Sequence, residues 1–258
     1  MTTTGQNVWF DLMTTDMEGA RAFYGEVIGW KTTQWEDADP SQPYTMWTMG
    51  GDALGGMMAL PEEAQQMGAP SHWIAYTTVA DVDATVAKAM QLSGRTYVPP
   101  TDIPKVGRFA VLADPQGATF ALLAPSDEAS APADKAGHFS WAELNTTDYE
   151  SAWKFYAQLF DWKHRDSMDM GPAGTYFMFT DQTGKTKGGM SNVARQMGMP
   201  AHWLYYVTVD NVDQTIERIK RAGGKVLNGP MPIPGDDVIA QCQDPQGAFF
   251  AIYAHGKK

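Results

Sequence analysis

The sequence predicts an α+β fold made by tandem duplication of one domain, with four βαβββ modules in all. Three observations support this prediction. The chain repeats itself at an offset of about 130 residues, each repeat contains strand-like and helical runs in the same order, and 258 residues suffice for two ordinary domains. Strands and helices are mixed rather than alternating one for one, which favours α+β over a doubly wound fold.

The duplication is visible as two long matches. The segment Trp9–Asp16 aligns with Trp141–Asp148, an offset of 132 residues, and Trp30 then aligns with Trp162. Further along the chain the offset is 130 residues, where the sequence D-P-Q-G-A at 114–118 recurs unchanged at 244–248. Each copy has about 120 residues, which suits a domain and is too long for a solenoid repeat.

The predicted boundaries are residues 5–124 for the first domain, 125–136 for a linker and 137–256 for the second domain. The linker is rich in Ala, Pro, Ser and Asp and has no hydrophobic period. The sequence therefore predicts two domains.

Each copy contains two βαβββ modules in succession. In the first module a strand at 8–13 precedes a helix with the apolar stripe Ala20, Phe23, Tyr24 and Val27, and three strands follow near 31–36, 44–49 and 54–60. Thr15 with Glu18, and Thr147 with Glu150, form capping-box patterns ahead of the two first helices. In the second module a strand at 72–79 precedes a helix with the stripe Val82, Val86, Ala89 and Met90, and strands follow near 96–98, 109–113 and 119–123.

Composition narrows the possible partners. Lys plus Arg is 19 and Asp plus Glu is 30, a formal charge of −11, which argues against nucleic acid or an anionic membrane as partner. Cys242 is the only cysteine, which excludes an internal disulfide and a multi-cysteine zinc site. The chain has no apolar run of ~18 residues and no signal-peptide pattern at its start. We expect a cytoplasmic protein with a small-molecule partner.

Several motifs carry a family resemblance. These are F-Y-G-E-V-I-G-W at 23–30, F-Y-A-Q-L-F-D-W at 155–162, and the two D-P-Q-G-A turns before the last strand of each copy. With them the chain resembles the vicinal-oxygen-chelate superfamily of glyoxalase I, extradiol dioxygenases and bleomycin-resistance proteins. Within it, the chain is similar to a two-domain glyoxalase-like subgroup that includes a mycobacterial culture-filtrate antigen. The resemblance implies open, curled mixed sheets around small-molecule cavities.

The resemblance also implies three metal-ligand positions in each copy. They fall on Trp9, Ile74 and Ala121 in the first copy and on Trp141, Leu204 and Ala251 in the second. None of these side chains offers an electron pair to a divalent ion. We therefore predict no cofactor, with a divalent metal ion at a shifted site as the alternative.

Polar residues lie two positions from the family's ligand positions. Strand side chains alternate between faces, so residues two apart share a face. The candidate catalytic residues selected in this way are Asp11, His72, Glu143 and His202, and the candidate ligand-binding residues are Trp9, Tyr76, Trp141 and Tyr206. The aromatic rings can stack on a ligand, and the carboxylates and histidines can direct hydrogen bonds to it.

Two functions follow from this set. The first is binding of a small aromatic or oxygenated molecule in a cavity that lacks the family's metal ligands. The alternative is a lyase, isomerase or dioxygenase that uses a shifted Asp/Glu–His acid–base or metal site. The same residues also suit a purely structural role in packing. The sequence leaves open whether Asp11 faces His72 or His202, and whether the chain is a monomeric pseudo-dimer or a homodimer.

Overall fold

The computed structural model describes residues 3–38, 43–127, 129, 132–133 and 135–256. Residues 128, 130, 131 and 134 of the predicted linker lie outside the described residues. Among the helices that are described, none is long and apolar enough to cross a membrane.

The first copy begins with a module of one strand, one helix and three strands, and repeats it after a short helix. Its elements are β1 (Asn7–Thr14), α1 (Met17–Val27), β2 (Lys31–Gln34), β3 (Thr45–Met49), β4 (Asp52–Ala59), α2 (Glu62–Gln66), β5 (His72–Thr78), α3 (Val82–Gln91), β6 (Arg95–Ile103), β7 (Gly107–Ala113) and β8 (Thr119–Pro125). The short helix α2 was not predicted.

The second copy has the same order. Its elements are β9 (Phe139–Asn145), α4 (Tyr149–Phe160), β10 (Lys163–Asp169), β11 (Thr175–Thr180), β12 (Thr186–Ser191), α5 (Val193–Met197), β13 (His202–Thr208), α6 (Val212–Arg221), β14 (Lys225–Pro232), β15 (Val238–Gln243) and β16 (Phe249–Ala254), with a 3₁₀ turn at Gly171–Ala173. The α+β class and the four βαβββ modules are therefore confirmed.

The strands form two open, mixed eight-stranded sheets. Their orders are β2-β3-β4-β1-β5-β8-β7-β6 and β10-β11-β12-β9-β13-β16-β15-β14. Within each module the first strand pairs in parallel with the last one, as β1 does with β4 and β9 with β12, and the hairpin partners are antiparallel. The predicted curl around cavities stays a prediction.

Two local predictions are wrong. The cap of α1 is Asp16 rather than Thr15, because the Asp16 carboxylate accepts the Gly19 N–H, and Asp148 caps α4 in the same way. On α3 the predicted apolar stripe does not extend to Met90, which is 48% exposed.

Packing divides the chain into two compact parts that differ from the sequence copies. Modules 1 to 4 are numbered in chain order. One part comprises Met1–Val8, Ile74–Ala131 and Trp141–Leu204 and contains the long helices of modules 2 and 3, which we call the inner pair. The other comprises Trp9–Trp73, Pro132–Ser140 and Tyr205–Lys258 and contains the long helices of modules 1 and 4, the outer pair. The division falls within the first strand of each module. Each pair thus combines one module from each copy. The boundaries 5–124 and 137–256 follow the copies and stay a prediction.

A buried Tyr–Asp–Trp network joins the two modules of each pair. In the outer pair the Tyr24 hydroxyl of α1 donates to Asp244 Oδ2 (3.1 Å) and accepts from Trp73 Nε1 (2.9 Å). The inner pair repeats this network with Tyr156, Asp114 and Trp203. Each D-P-Q-G-A aspartate therefore bonds to a helix of the other sequence copy. Burial raises the pKa of both aspartates and of Tyr24.

A second matched pair of tryptophans bonds to the backbone just before the first strand of each copy. Trp30 Nε1 donates to the Gly137 carbonyl (2.7 Å), and Trp162 Nε1 donates to the Gly5 carbonyl (2.9 Å). Both indoles are buried, so these bonds satisfy donors that would otherwise destabilise the core. Trp30, Trp162 and the two tryptophans of the Tyr–Asp–Trp networks thus have a structural role.

Candidate functional site

Trp9 and Asp11 lie on the face of β1 that points away from the helices. Their neighbours Phe10 and Leu12 are buried in the core, where the Phe10 ring stacks on Phe139 at 3.9 Å. On β5, Trp73 points to Tyr24 of α1, so the alternation of side chains puts His72 on the opposite face. This is the face that the sequence predicts for the site.

On β1 the structure brings Asp11 together with Trp9 and with the tyrosine that directly precedes β3. The Tyr44 hydroxyl donates to Asp11 Oδ1 (2.5 Å). Trp9 Nε1 donates to the same oxygen (3.0 Å) and also to the Tyr44 oxygen (2.7 Å). We call Trp9, Tyr44 and Asp11 the Asp11 triad. Asp11 is 2% exposed, whereas Trp9 and Tyr44 are half-buried, so the aromatic rings are the accessible part of the triad.

The second copy has an equivalent set, the Glu143 triad of Trp141, Tyr176 and Glu143. Trp141 Nε1 donates to the Tyr176 oxygen (2.8 Å), and the Tyr176 hydroxyl donates to Glu143 Oε2 (3.2 Å). Burial and the adjacent Glu143 carboxylate raise the pKa of Tyr176 well above its ordinary value. The phenol therefore stays protonated at neutral pH and acts as a hydrogen-bond donor.

Sequence reasoning missed Tyr44 and Tyr176. Tyr44 directly precedes β3 and Tyr176 lies on β11, and in each sheet one strand, β4 or β12, separates that strand from the one that carries the carboxylate. Only the folded sheet brings the tyrosines to the carboxylates. A signal was nevertheless present, since the two tyrosines are separated by the same 132 residues as Trp9 and Trp141.

Paired glycines make room for the triads. Gly55 and Gly188 lie so close to the neighbouring strand that an added Cβ would be 1.8 Å from the Phe10 carbonyl oxygen and 2.1 Å from that of Ala142. At Gly56 an added Cβ would meet the Tyr44 hydroxyl at 1.9 Å, and at Gly189 it would meet the Tyr176 ring at 2.3 Å. The first glycine of each pair thus permits the strand approach, and the second accommodates the tyrosine.

His72 and His202 each bond to a backbone carbonyl two residues earlier. His72 Nδ1 is 2.8 Å from the Pro70 oxygen, and His202 Nδ1 is 2.9 Å from the Pro200 oxygen. A carbonyl can only accept, so Nδ1 carries the proton and Nε2 has the lone pair in the neutral ring. Burial lowers the pKa of both histidines, which keeps the rings neutral at pH 7.

These pKa shifts predict a loss of stability on acidification. The unfolded chain takes up protons near the ordinary histidine pKa of ~6.5, whereas the folded chain does so only at lower pH. Between these values the unfolded state holds more protons, so the free energy of unfolding should fall as the pH decreases below 6.5. We expect the double variant His72→Gln, His202→Gln to have a shallower slope between pH 7.5 and 5, measured by urea denaturation.

The matched control for this experiment is His164→Gln, which removes an exposed imidazole. It measures how the loss of an exposed histidine changes the dependence of the free energy of unfolding on pH. A double variant with the same slope as the control would contradict a destabilising effect of burying His72 and His202.

The two predicted tyrosines, Tyr76 and Tyr206, are both buried. Tyr76 is buried and lies 6.2 Å from the Phe109 ring, measured between centroids, in the inner pair. Tyr206 is buried in the outer pair, where its hydroxyl accepts from Gln241 Nε2 (3.3 Å). The site assignment of both residues stays a prediction.

The residues at the family's ligand positions do not fit a metal ion. An indole N–H is only a donor, and here both indoles donate to tyrosine oxygens. The side chains of Ile74, Leu204, Ala121 and Ala251 offer no ligand atom. Across the described part of the chain, no three His, Cys, Asp or Glu side chains group closely enough to hold a metal ion.

Duplicated βαβββ modules with mixed sheets define a class of proteins to which this chain belongs, the Glyoxalase/Bleomycin resistance protein/Dioxygenase superfamily. The family model matches residues 7–122 and 136–252. The predicted family is therefore confirmed.

Individual relatives span almost the whole chain. A Mycobacterium tuberculosis protein named "Putative glyoxylase CFP32" is 32% identical over 245 residues, covering 95% of this chain and 92% of the relative. The "Anthracycline biosynthesis protein DauV" of Streptomyces sp. (strain C5) is 27% identical over 261 residues, covering 96% and 92%.

Solved structures share the fold at low sequence identity. The Mn(II)-bound glyoxalase from Novosphingobium aromaticivorans has a TM-score of 0.67 at 14% identity, covering 100% of this chain and 84% of that one. The 2,3-dioxygenase LapB from Pseudomonas sp. KL28 has a TM-score of 0.64 at 12% identity, covering 100% and 94%.

Proposed function

We propose that this protein binds a small oxygenated aromatic molecule at its Trp–Tyr–carboxylate triads without the use of a metal ion. The observation that carries the proposal is the recurrence of the same hydrogen-bonded triad in both copies, with its tryptophan at the family's first ligand position. A triad of donors and acceptors beside a half-buried indole suits a ligand with both a ring and hydroxyl or carbonyl groups.

The relatives support an aromatic ligand. Two of them are named anthracycline biosynthesis proteins, and anthracyclines are oxygenated polycyclic aromatic compounds. A hydroxyanthraquinone such as alizarin has the same flat, oxygenated ring system without the sugar, so it is a suitable first probe.

The triads should determine the affinity for this probe. We expect alizarin to bind the full chain in buffer that contains EDTA, and the double variant Asp11→Asn, Glu143→Gln to bind at least about tenfold more weakly. The expected magnitude is that of losing a hydrogen bond to a charged group. Isothermal titration calorimetry measures both affinities.

Asp83→Asn is the control, because it removes an exposed carboxylate that pairs with Arg108 away from the triads. It should leave the affinity unchanged. Failure of alizarin and an anthracycline to bind, or binding that requires added metal and disappears with EDTA, would contradict the proposal.

One observation favours the alternative of catalysis. The hydrogen bond from each Nδ1 to a proline carbonyl gives His72 and His202 a fixed neutral tautomer whose Nε2 can accept a proton, which is the requirement for a general base. Mass spectrometry of the probe recovered after incubation distinguishes the two functions. A chemically altered product that disappears in the double variant His72→Gln, His202→Gln would support a lyase, isomerase or dioxygenase instead of a binding protein.

A further inference from the structure

The residue beside the triad tyrosine differs between the two copies. Beside the Asp11 triad, the backbone N–H of Trp35 donates to the Tyr44 carbonyl (2.9 Å). The rings of these two residues meet edge to face, with their centroids 6.2 Å apart. Trp35 is half-buried, so part of its ring remains accessible. The 132-residue offset aligns Trp35 with Ser167.

The sheet register brings a different residue to the Glu143 triad. The pairing of β10 with β11 is irregular between His164 and Asp166, and beyond this point Met168 is opposite Tyr176. In the first copy β2 pairs with β3 without a shift as far as Gln34 opposite Thr45, so the next residue, Trp35, stands opposite Tyr44. Cross-strand partners share a face of the sheet. The structural counterpart of Trp35 is therefore Met168 rather than Ser167.

The two side chains offer different surfaces to a ligand. An indole is flat and rigid and favours planar rings, whereas a methionine side chain is flexible and adapts to irregular apolar groups. The triads differ as well: Trp9 and Tyr44 both donate to one Asp11 oxygen, while the Tyr176 hydroxyl donates to Glu143 over a longer distance of 3.2 Å. The first triad is thus the more compact of the two.

Resting on the proposed function, we infer that the two triads bind groups of different shape and that Trp35 and Met168 determine the difference. The Asp11 triad takes a planar aromatic ring system beside Trp35. The Glu143 triad takes a non-planar, partly saturated group beside Met168. Duplication has therefore produced two sites of different specificity from one ancestral sheet.

A reciprocal exchange of the two residues tests this inference. Titration of the wild-type chain with alizarin should give one tight site per chain. Trp35→Met should weaken that site by about tenfold, at the upper end of the range for the loss of an aromatic pair. Met168→Trp should add a second alizarin site of similar affinity to the first.

Trp35→Phe is the matched control, since it retains a flat ring and should weaken the first site less than Trp35→Met does. Met168→Trp keeps the test decisive if Trp35→Met unfolds, because it adds a ring without removing one. Two equal sites in the wild-type chain, an unchanged affinity in Trp35→Met, or no second site in Met168→Trp would overturn the inference but leave the proposed function intact. The failure of both alizarin and an anthracycline to bind the wild-type chain would overturn both.

Discussion

Gly55→Ala is expected to lower the free energy of unfolding by about 3 kcal/mol or more. The added methyl carbon would lie 1.8 Å from the Phe10 carbonyl oxygen, and the backbone of a central strand cannot move aside as a side chain can. Because β4 pairs with β1 at this point, the strand that carries Trp9 and Asp11 would be displaced. Chemical denaturation monitored by circular dichroism gives the loss directly.

Two further glycine variants calibrate this result. Gly25→Ala lies within α1, where the nearest atom to an added Cβ is 3.5 Å away, so it should be neutral or stabilise by ~0.5–1 kcal/mol. At Gly56 the nearest atoms to an added Cβ belong to the side chains of Tyr44 and Asp11 rather than to the backbone. Gly56→Ala should therefore cost less stability than Gly55→Ala, although it disrupts the triad. A Gly55→Ala variant as stable as Gly25→Ala would contradict the close strand approach.

Asp244→Ala is expected to lower the free energy of unfolding by at least about 3 kcal/mol. The buried carboxylate accepts the Gln246 and Ala248 N–H groups (3.0 and 2.8 Å) as well as the Tyr24 hydroxyl. Removing it leaves three donors without their acceptor, of which the Ala248 N–H and the Tyr24 hydroxyl are buried. Each buried donor left unpaired costs ~1–3 kcal/mol. Urea denaturation at pH 7 measures the loss.

The control is Asp81→Ala, which removes the exposed cap of α3 and its bond to the Ala84 N–H. Its expected cost is ~1 kcal/mol. The stability cost of Asp244→Asn should fall between the costs of the two alanine variants. Its amide oxygen can still accept the Gln246 and Ala248 N–H groups. If Asp244→Ala cost no more than Asp81→Ala, the buried network would not stabilise the outer pair in the way that its geometry indicates.

The order of the elements and the family could be predicted because both depend on local patterns that duplication preserved. Apolar periodicity located the long helices, and the recurring D-P-Q-G-A turns located the ends of the copies. The predicted caps are wrong by one residue, since the side chains of Asp16 and Thr15 are both able to cap and only the backbone geometry decides between them.

For the site, the sequence could predict only which residues of a single strand share a face, and not which residues of different strands meet. Alternation by two residues placed Asp11 on the face of Trp9, and the structure joins the two by a hydrogen bond. It could not supply Tyr44, because the bond from Tyr44 to Asp11 depends on how β3, β4 and β1 pair across the sheet. The same limit applies to Met168, since a single irregularity in β10 moves it into the place that the sequence offset assigns to Ser167.

Local sequence was therefore sufficient for the class of fold, the duplication and the family. These features depend on which residue occupies which position along the chain. The pairing of modules from different copies, the two triads and the unequal neighbours of Tyr44 and Tyr176 were decided by tertiary structure. They depend on strand register and on contacts between residues far apart in the chain, such as Tyr24 with Asp244, and no local pattern encodes such distances.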